Sequence, residues 1–147
     1  MEIIRANRTH ISEVARLFDL YRQFYECDAN FNLAKEFISE RLENDESVIF
    51  VAAEGNLAKG FVQLYPSFCS VEAVKIFILY DLYVDSDARK SGIGEALMNR
   101  AAEFAKEAGA SRIDLLTAFD NKPGQRLYEK LGYKITNEAF HSYSLWL

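Results

Sequence analysis

Apolar residues alternate between helical and strand-like spacing along the chain, and the alternation lays out an order of elements. Ile3 to Ala6 reads as a short strand. Thr9 is a good N-cap, and Ile11, Val14, Leu17, Phe18, Tyr21 and Tyr25 then recur at helical spacing. The stretch from Glu26 to Phe31 breaks that pattern, and Asn32 can cap a second helix with Leu33, Phe37, Ile38 and Leu42 on its apolar face. Val48 to Ala53 and Ala58 to Tyr65 flank Glu54-Gly55-Asn56, a strand–turn–strand hairpin. Pro66 and the segment Ser67 to Ser70 are expected to form the next connection. Val74 to Val84 is a long strand and the expected sheet centre.

After Gly94 the apolar positions Leu97, Ala101, Ala105 and Ala108 return to helical spacing, and Gly109 is a natural stop. Ile113 to Phe119 reads as a strand. Pro123 suits the first turn of a last helix that Gly132 closes. Tyr133 to Ile135 and Phe140 to Trp146 are expected to be two final strands. The order is β-α-α-β-β-β-α-β-α-β-β. It predicts one α/β (α+β) domain over residues 1–147, with a mixed, mostly antiparallel twisted sheet of about seven strands and about four helices.

Composition narrows the function. Half the residues are hydrophobic, with 11 Phe and 8 Tyr, so the chain can bury a core of its own. A net charge of −5 argues against a broad nucleic-acid surface and modestly favours a cationic substrate. Cys27 and Cys69 match no metal or redox spacing and are expected as buried or half-buried free thiols. No metal site is expected. The start Met1-Glu2-Ile3-Ile4-Arg5 has no apolar signal core, and no apolar run approaches the ~20 residues that span a bilayer. A soluble, cytoplasmic protein is the expectation.

The chemistry concentrates where the long strand ends. Asp81-Leu82-Tyr83-Val84 runs into a charged turn, and Arg89-Lys90-Ser91-Gly92-Ile93-Gly94-Glu95 then opens a helix. Glycines allow a tight turn and close backbone approach to a ligand, and the first amides of a helix lack intrahelical partners. That is an anion site fit for a pyrophosphate, with Arg89 at hand. A Walker A loop is excluded, since no Lys-Ser follows a second glycine. The dinucleotide fingerprint fails because Leu97 stands at its third glycine. Its acidic residue also fails: Asp114 falls at the start of its strand rather than at the end.

Arg89-x-x-Gly92-x-Gly94 after a strand ending in Val84 resembles the acetyl-CoA motif of the GCN5-related N-acetyltransferases. Leu115-Leu116-Thr117-Ala118, Asn121 and the run Leu127-Tyr128-Glu129-Lys130-Leu131-Gly132-Tyr133 follow as that family's second block. The resemblance implies acetyl-CoA as cosubstrate, with pantetheine between splayed strands Leu79 to Val84 and Asp114 to Phe119. Leu82, Tyr83 and Val84 would offer main-chain groups to it. Residues Arg89 to Glu95 would hold the pyrophosphate, and Asn121 would reach the pantetheine arm or cap a helix.

Tyr128 matches the tyrosine that acts as general acid in many relatives. Asp81 lies where the family places substrate chemistry, while the glutamate of polyamine acetyltransferases falls one position earlier, on Tyr80. Strand alternation sends Tyr80 and Asp81 to opposite faces unless a bulge intervenes. His10 and His141 are expected to be packing or surface residues.

Specificity in this family comes from the first helices and the loops beside the central strand, which here carry Tyr21, Phe24, Tyr25, Glu26, Asp28, Phe31, Tyr65 and Phe68. The expected activity is direct acetyl transfer in a ternary complex to a small primary amine: a polyamine, an amino acid derivative or an aminoglycoside. No Cys or Ser stands in a nucleophile motif that would form an acyl-enzyme. The alternatives are a CoA-binding regulatory module without acceptor chemistry and a nucleotide-dependent oxidoreductase. The alternating segment Phe140 to Leu147 further suggests a homodimer.

Overall fold

Asn7, rather than Thr9, starts the first helical segment. Its Oδ1 accepts from the Thr9 amide at 2.9 Å, and His10 Nδ1 accepts from the Asn7 amide at 2.9 Å, so side chain and backbone satisfy each other. A 3-10 turn over Arg8–His10 leads into α1, Ile11–Phe24, whose Val14, Leu17 and Phe18 are buried. α2, Phe31–Glu43, begins earlier than its spacing suggests because Asn30 Oδ1 accepts from the Leu33 amide at 3.1 Å. The computed structural model describes residues 1–147, and the chain divides into two compact units, Met1–Leu116 and Thr117–Leu147.

The first unit is built on five strands: β1 (Glu2–Arg5), β2 (Val48–Glu54), β3 (Leu57–Cys69), β4 (Val74–Val84) and β5 (Arg112–Asp114). They lie side by side in that order; the first four pair antiparallel and β5 runs parallel to β4. On one face Ile49, Val51 and Phe61 pack with Leu17, Phe18, Ala34 and Ile38 of α1 and α2. On the other lies α3, Ile93–Glu107, where the Phe104 ring sits 5.7 Å from Phe50 and 5.6 Å from Phe77. Each fully buried Leu or Phe contributes ~1.5–3 kcal/mol, so both layers hold the sheet firmly. Gly60 sets how closely α3 lies on it: a Cβ there would stand 3.0 Å from the Tyr83 carbonyl oxygen and 3.2 Å from both Ile93 and Leu97.

The α+β expectation holds, with four helices and five strands rather than seven. β3 passes straight through Pro66, which was expected in a connection. β2 pairs with β3 only as far as Leu64, so one edge of β3 is open beyond it and a missing N–H costs no ladder bond there. The strand expected from Ile113 to Phe119 ends at Asp114. Further on, the carbonyls of Ala118 and Phe119 accept from Gln125 Nε2 at 3.0 Å each, bonds that take the place of a ladder.

The second unit holds α4, Lys122–Lys130, with Pro123 in its first turn and Asn121 Oδ1 accepting from the Gly124 amide at 3.2 Å. Gly132, at φ +95°, turns the chain out of the helix. Neither Tyr133 to Ile135 nor Phe140 to Trp146 forms a strand. Alternation decides which side of a strand is apolar, but a strand also needs a backbone partner. Here Asn137 folds back on Phe140, accepting from its amide at 2.9 Å and donating to its carbonyl at 3.3 Å. Phe140, Tyr143, Leu145 and Trp146 are consequently exposed. Cys69 is half-buried as expected, whereas Cys27, placed among polar residues just past α1, is exposed. No helix is long and apolar enough to cross a membrane.

Candidate active site

β4 changes face in mid-strand. Gln63 of β3 pairs with Asp81, but the next residue, Leu64, pairs with Leu79, which leaves Tyr80 as an extra residue in a β-bulge. Below the bulge Phe77 points to Phe104 of α3; above it Tyr83 packs on the α1/α2 core. Unbroken alternation would put residues 77 to 83 of odd number on one face. The bulge therefore re-aims Asp81 toward α1. It also settles which of the two neighbours is enclosed: Asp81 is 2% exposed and Tyr80 is 64% exposed.

Two buried side chains fix the carboxylate. Gln63 Nε2 donates to Asp81 Oδ2, and Ser47 Oγ donates to Gln63 Oε1 at 2.7 Å, which keeps the amide nitrogen turned toward Asp81. Burial raises the Asp81 pKa from its ordinary 3.8 to about 6, and the hydrogen bond from Gln63, with the Tyr21 hydroxyl close by, holds it from going higher. The carboxylate is ionised at neutral pH yet more basic than an ordinary one.

Tyrosines surround this group. The Tyr21 hydroxyl donates to the Tyr80 carbonyl at 3.1 Å. The Tyr21 and Tyr25 rings lie 5.1 Å apart, and those of Tyr65 and Tyr80 lie 5.9 Å apart. Burial, followed by the nearby Asp81 charge, pushes the Tyr65 phenol up to about 12 and raises Tyr21 and Tyr25 as well. These phenols stay protonated and serve as donors or as ring faces.

The ladder between β4 and β5 ends at Ile78 and Asp114, while β4 runs on to Val84. The β4 edge at Leu82 and Val84 is the one aimed away from β3. Beyond Val84, Asp85 accepts from the Ser86 amide at 3.0 Å and starts a 3-10 turn over Ser86–Ala88. Arg89 Nε donates to the Val84 carbonyl at 3.0 Å, with its guanidinium 5.5 Å from the Tyr83 ring. Ser91 Oγ donates to the Ala88 carbonyl.

Lys90 and Gly92 both adopt left-handed backbone, φ +64° and +82°; for the lysine this costs ~1–2 kcal/mol. Gly92 stands at the N-cap of α3 without a side-chain cap, and the first intrahelical bond runs from the Ala96 amide to the Gly92 carbonyl at 3.0 Å. The helix end therefore presents backbone amides and dipole outward past Ile93 and Gly94, as a pyrophosphate requires.

A clamp ties this loop to α1. Arg16 reaches Asp85 at 3.1 Å, the Ala58 carbonyl at 2.8 Å and Glu13 at 3.2 Å, while Glu13 accepts from the Ala58 amide at 2.8 Å. Helix α1 thus bears on the carboxylate through Tyr21 and on the anion loop through Arg16.

In the second unit, Asn121 spends both ends of its amide locally: Oδ1 caps α4, and Nδ2 donates to Thr117 Oγ1 at 3.0 Å. Tyr128 is half-buried on α4, its ring 6.2 Å from that of Tyr133. Gln63, Ser47, Arg16 and Asp85 escaped the sequence reading. Only Gln63 carried a signal there, as an amide in the middle of an apolar strand.

The family model described as the acetyltransferase (GNAT) family matches residues 14–133. The chain is similar to an uncharacterized N-acetyltransferase, YhfO, of Bacillus subtilis (strain 168), at 40% identity over 134 residues, covering 91% of this chain and 90% of that protein. The crystal structure of a probable acetyltransferase matches at a TM-score of 0.90 and 36% identity, over 100% of this chain and 98% of that one. An aminoglycoside N-acetyltransferase in complex with CoA shares the fold at a TM-score of 0.82 and 17% identity, over 97% of this chain and 93% of the other.

Proposed function

The chain belongs to the GNAT family of acetyltransferases and is an acetyl-CoA-dependent N-acetyltransferase; on that premise we propose that it acetylates a small primary amine by direct transfer, with Asp81 as proton acceptor and Tyr128 as proton donor. The observation that carries this reading is the bulge at Tyr80, which turns a buried, ionisable carboxylate toward α1 in the middle of an apolar strand. Bound acetyl-CoA supplies an activated thioester. Main-chain groups of Leu82 and Val84, on either side of Tyr83, orient the pantetheine arm. Arg89, Lys90, Ser91 and the amides from Gly92 through Ile93 and Gly94 to Glu95 hold the pyrophosphate, while Asn121 caps α4.

An alkylammonium has a pKa of about 10.4, so the attacking amine must give up a proton. Asp81, at about 6, is the buried base available to take it. Tyr80 borders the same place through its ring and carbonyl. The one experiment that tests the reading is a screen of primary amines with acetyl-CoA, read as free-thiol release. Release that depends on an amine supports it; acetyl-CoA binding with no release across the panel would leave a CoA-binding module.

The anion loop makes a separate expectation. Saturating acetyl-CoA at ~100 times a micromolar Kd should stabilise the protein by about 2.7 kcal/mol, or roughly 5–10 °C in melting temperature. Arg89→Glu sets a negative charge against the pyrophosphate and should abolish that shift. An unchanged shift in the variant moves the pyrophosphate elsewhere.

The exposed apolar side chains between Phe140 and Leu147 support a homodimer that covers them. Light scattering at micromolar concentration should give twice the chain mass. A value near 16.8 kDa removes the dimer.

A further inference from the structure

We infer that the acceptor is a primary amine with a single positive charge on an apolar, preferably aromatic, body, received by the arc of rings around Asp81. This rests on the acetyltransferase reading above and makes it more specific. Two features that are each unusual in a folded protein occur side by side: a buried carboxylate, and a run of exposed aromatic rings. Phe24, Tyr25 and Tyr80 are 59%, 50% and 64% exposed. They are linked, since Phe24 lies 5.3 Å from Tyr25, Tyr25 5.1 Å from Tyr21, and Tyr21 bonds to the backbone of Tyr80, whose ring meets Tyr65. Rings attract an ammonium through their faces and its carbon skeleton through their area, and one carboxylate matches one charge.

A polyamine or an aminoglycoside needs more. Each further ammonium must exchange its hydration for another unpaired carboxylate, and the neighbouring acids are either engaged or exposed to solvent. Glu46 is held by Arg41 at 3.1 Å, and that Arg41 charge acts on Tyr65 from the same side, where it repels a second cation. Asp19 accepts from the Asn30 amide at 2.9 Å and from Gln23 at 3.3 Å. Glu26 and Asp28 stand exposed, where water and salt screen them.

Two readouts with four amines test this: phenethylamine, butylamine, spermidine and kanamycin. Binding is measured by calorimetry on protein saturated with CoA, and turnover by thiol release from acetyl-CoA at neutral pH. Phenethylamine should bind about tenfold more tightly than butylamine or spermidine and have the highest kcat/KM. Tyr25→Ala, a change at an exposed ring, should weaken phenethylamine about fivefold or more, weaken butylamine less and keep the melting shift from acetyl-CoA. Preference for spermidine or kanamycin in either assay overturns the proposal while leaving the acetyltransferase reading in place. Failure of all four to bind also overturns it. Tight phenethylamine binding without thiol release upholds the recognition site and removes the acceptor chemistry.

Discussion

Asp81→Asn is expected to lower kcat roughly 10²–10⁴-fold, the usual contribution of a positioned base, and at the same time to raise the melting temperature. The two effects share a cause. Burial lifts the carboxyl from 3.8 to about 6 in the folded protein. Between those values the folded state keeps a proton that the unfolded state has released, so stability falls as pH rises through that window. Above about 6 the whole penalty, on the order of 3 kcal/mol, remains. An amide at this position carries no such penalty and still accepts from Gln63.

The variant should therefore melt several degrees higher at neutral pH and about where the native protein does below pH 4. The native pH–rate profile should rise through about 6, and that limb should vanish in the variant. Full activity in Asp81→Asn removes it as the base. Unchanged melting at neutral pH contradicts its burial as a charge.

Tyr128→Phe is expected to preserve acetyl-CoA affinity and the ring contact with Tyr133 while lowering kcat roughly 10²–10⁴-fold. A phenol with a pKa of about 10 stays protonated at neutral pH and can donate to a departing thiolate. A hydroxyl that only orders its surroundings accounts for about 1 kcal/mol, less than tenfold in rate. The high-pH fall in turnover, where it reports loss of the phenolic proton, should disappear in the variant. An active Tyr128→Phe enzyme with the native profile makes this tyrosine a packing residue.

Much of this was legible in the sequence because it depends on local chemistry. Helical spacing places Val14, Leu17 and Phe18 in the core, Gly109 and Gly132 end their helices, and Arg89 to Gly94 announces an anion loop. The caps expected at Thr9 and Asn32 stand two positions earlier, at Asn7 and Asn30, a choice between nearby side chains of similar aptitude. The final strands failed for another reason: Phe140 to Trp146 has the right alternation, but pairing is a property of the neighbours. The site's support was least legible. Ser47 just before β2, Gln63 of β3 and Asp81 of β4 become partners only through the register that aligns them, and Arg16 meets Asp85 across 69 positions of chain.

The extra residue at Tyr80 has a consequence for anyone comparing β4 between proteins. The address of the acid is set by counting from the slip and not from either end of the strand. Straightening the slip with every residue kept would restore plain alternation and rotate Asp81 into the apolar layer beneath α3, with every side chain of the strand still correct by type. A relative whose acid falls one column earlier can thus present it to the same face if its strand alternates without a slip up to that acid. Gap placement within β4 decides whether two such enzymes share a base.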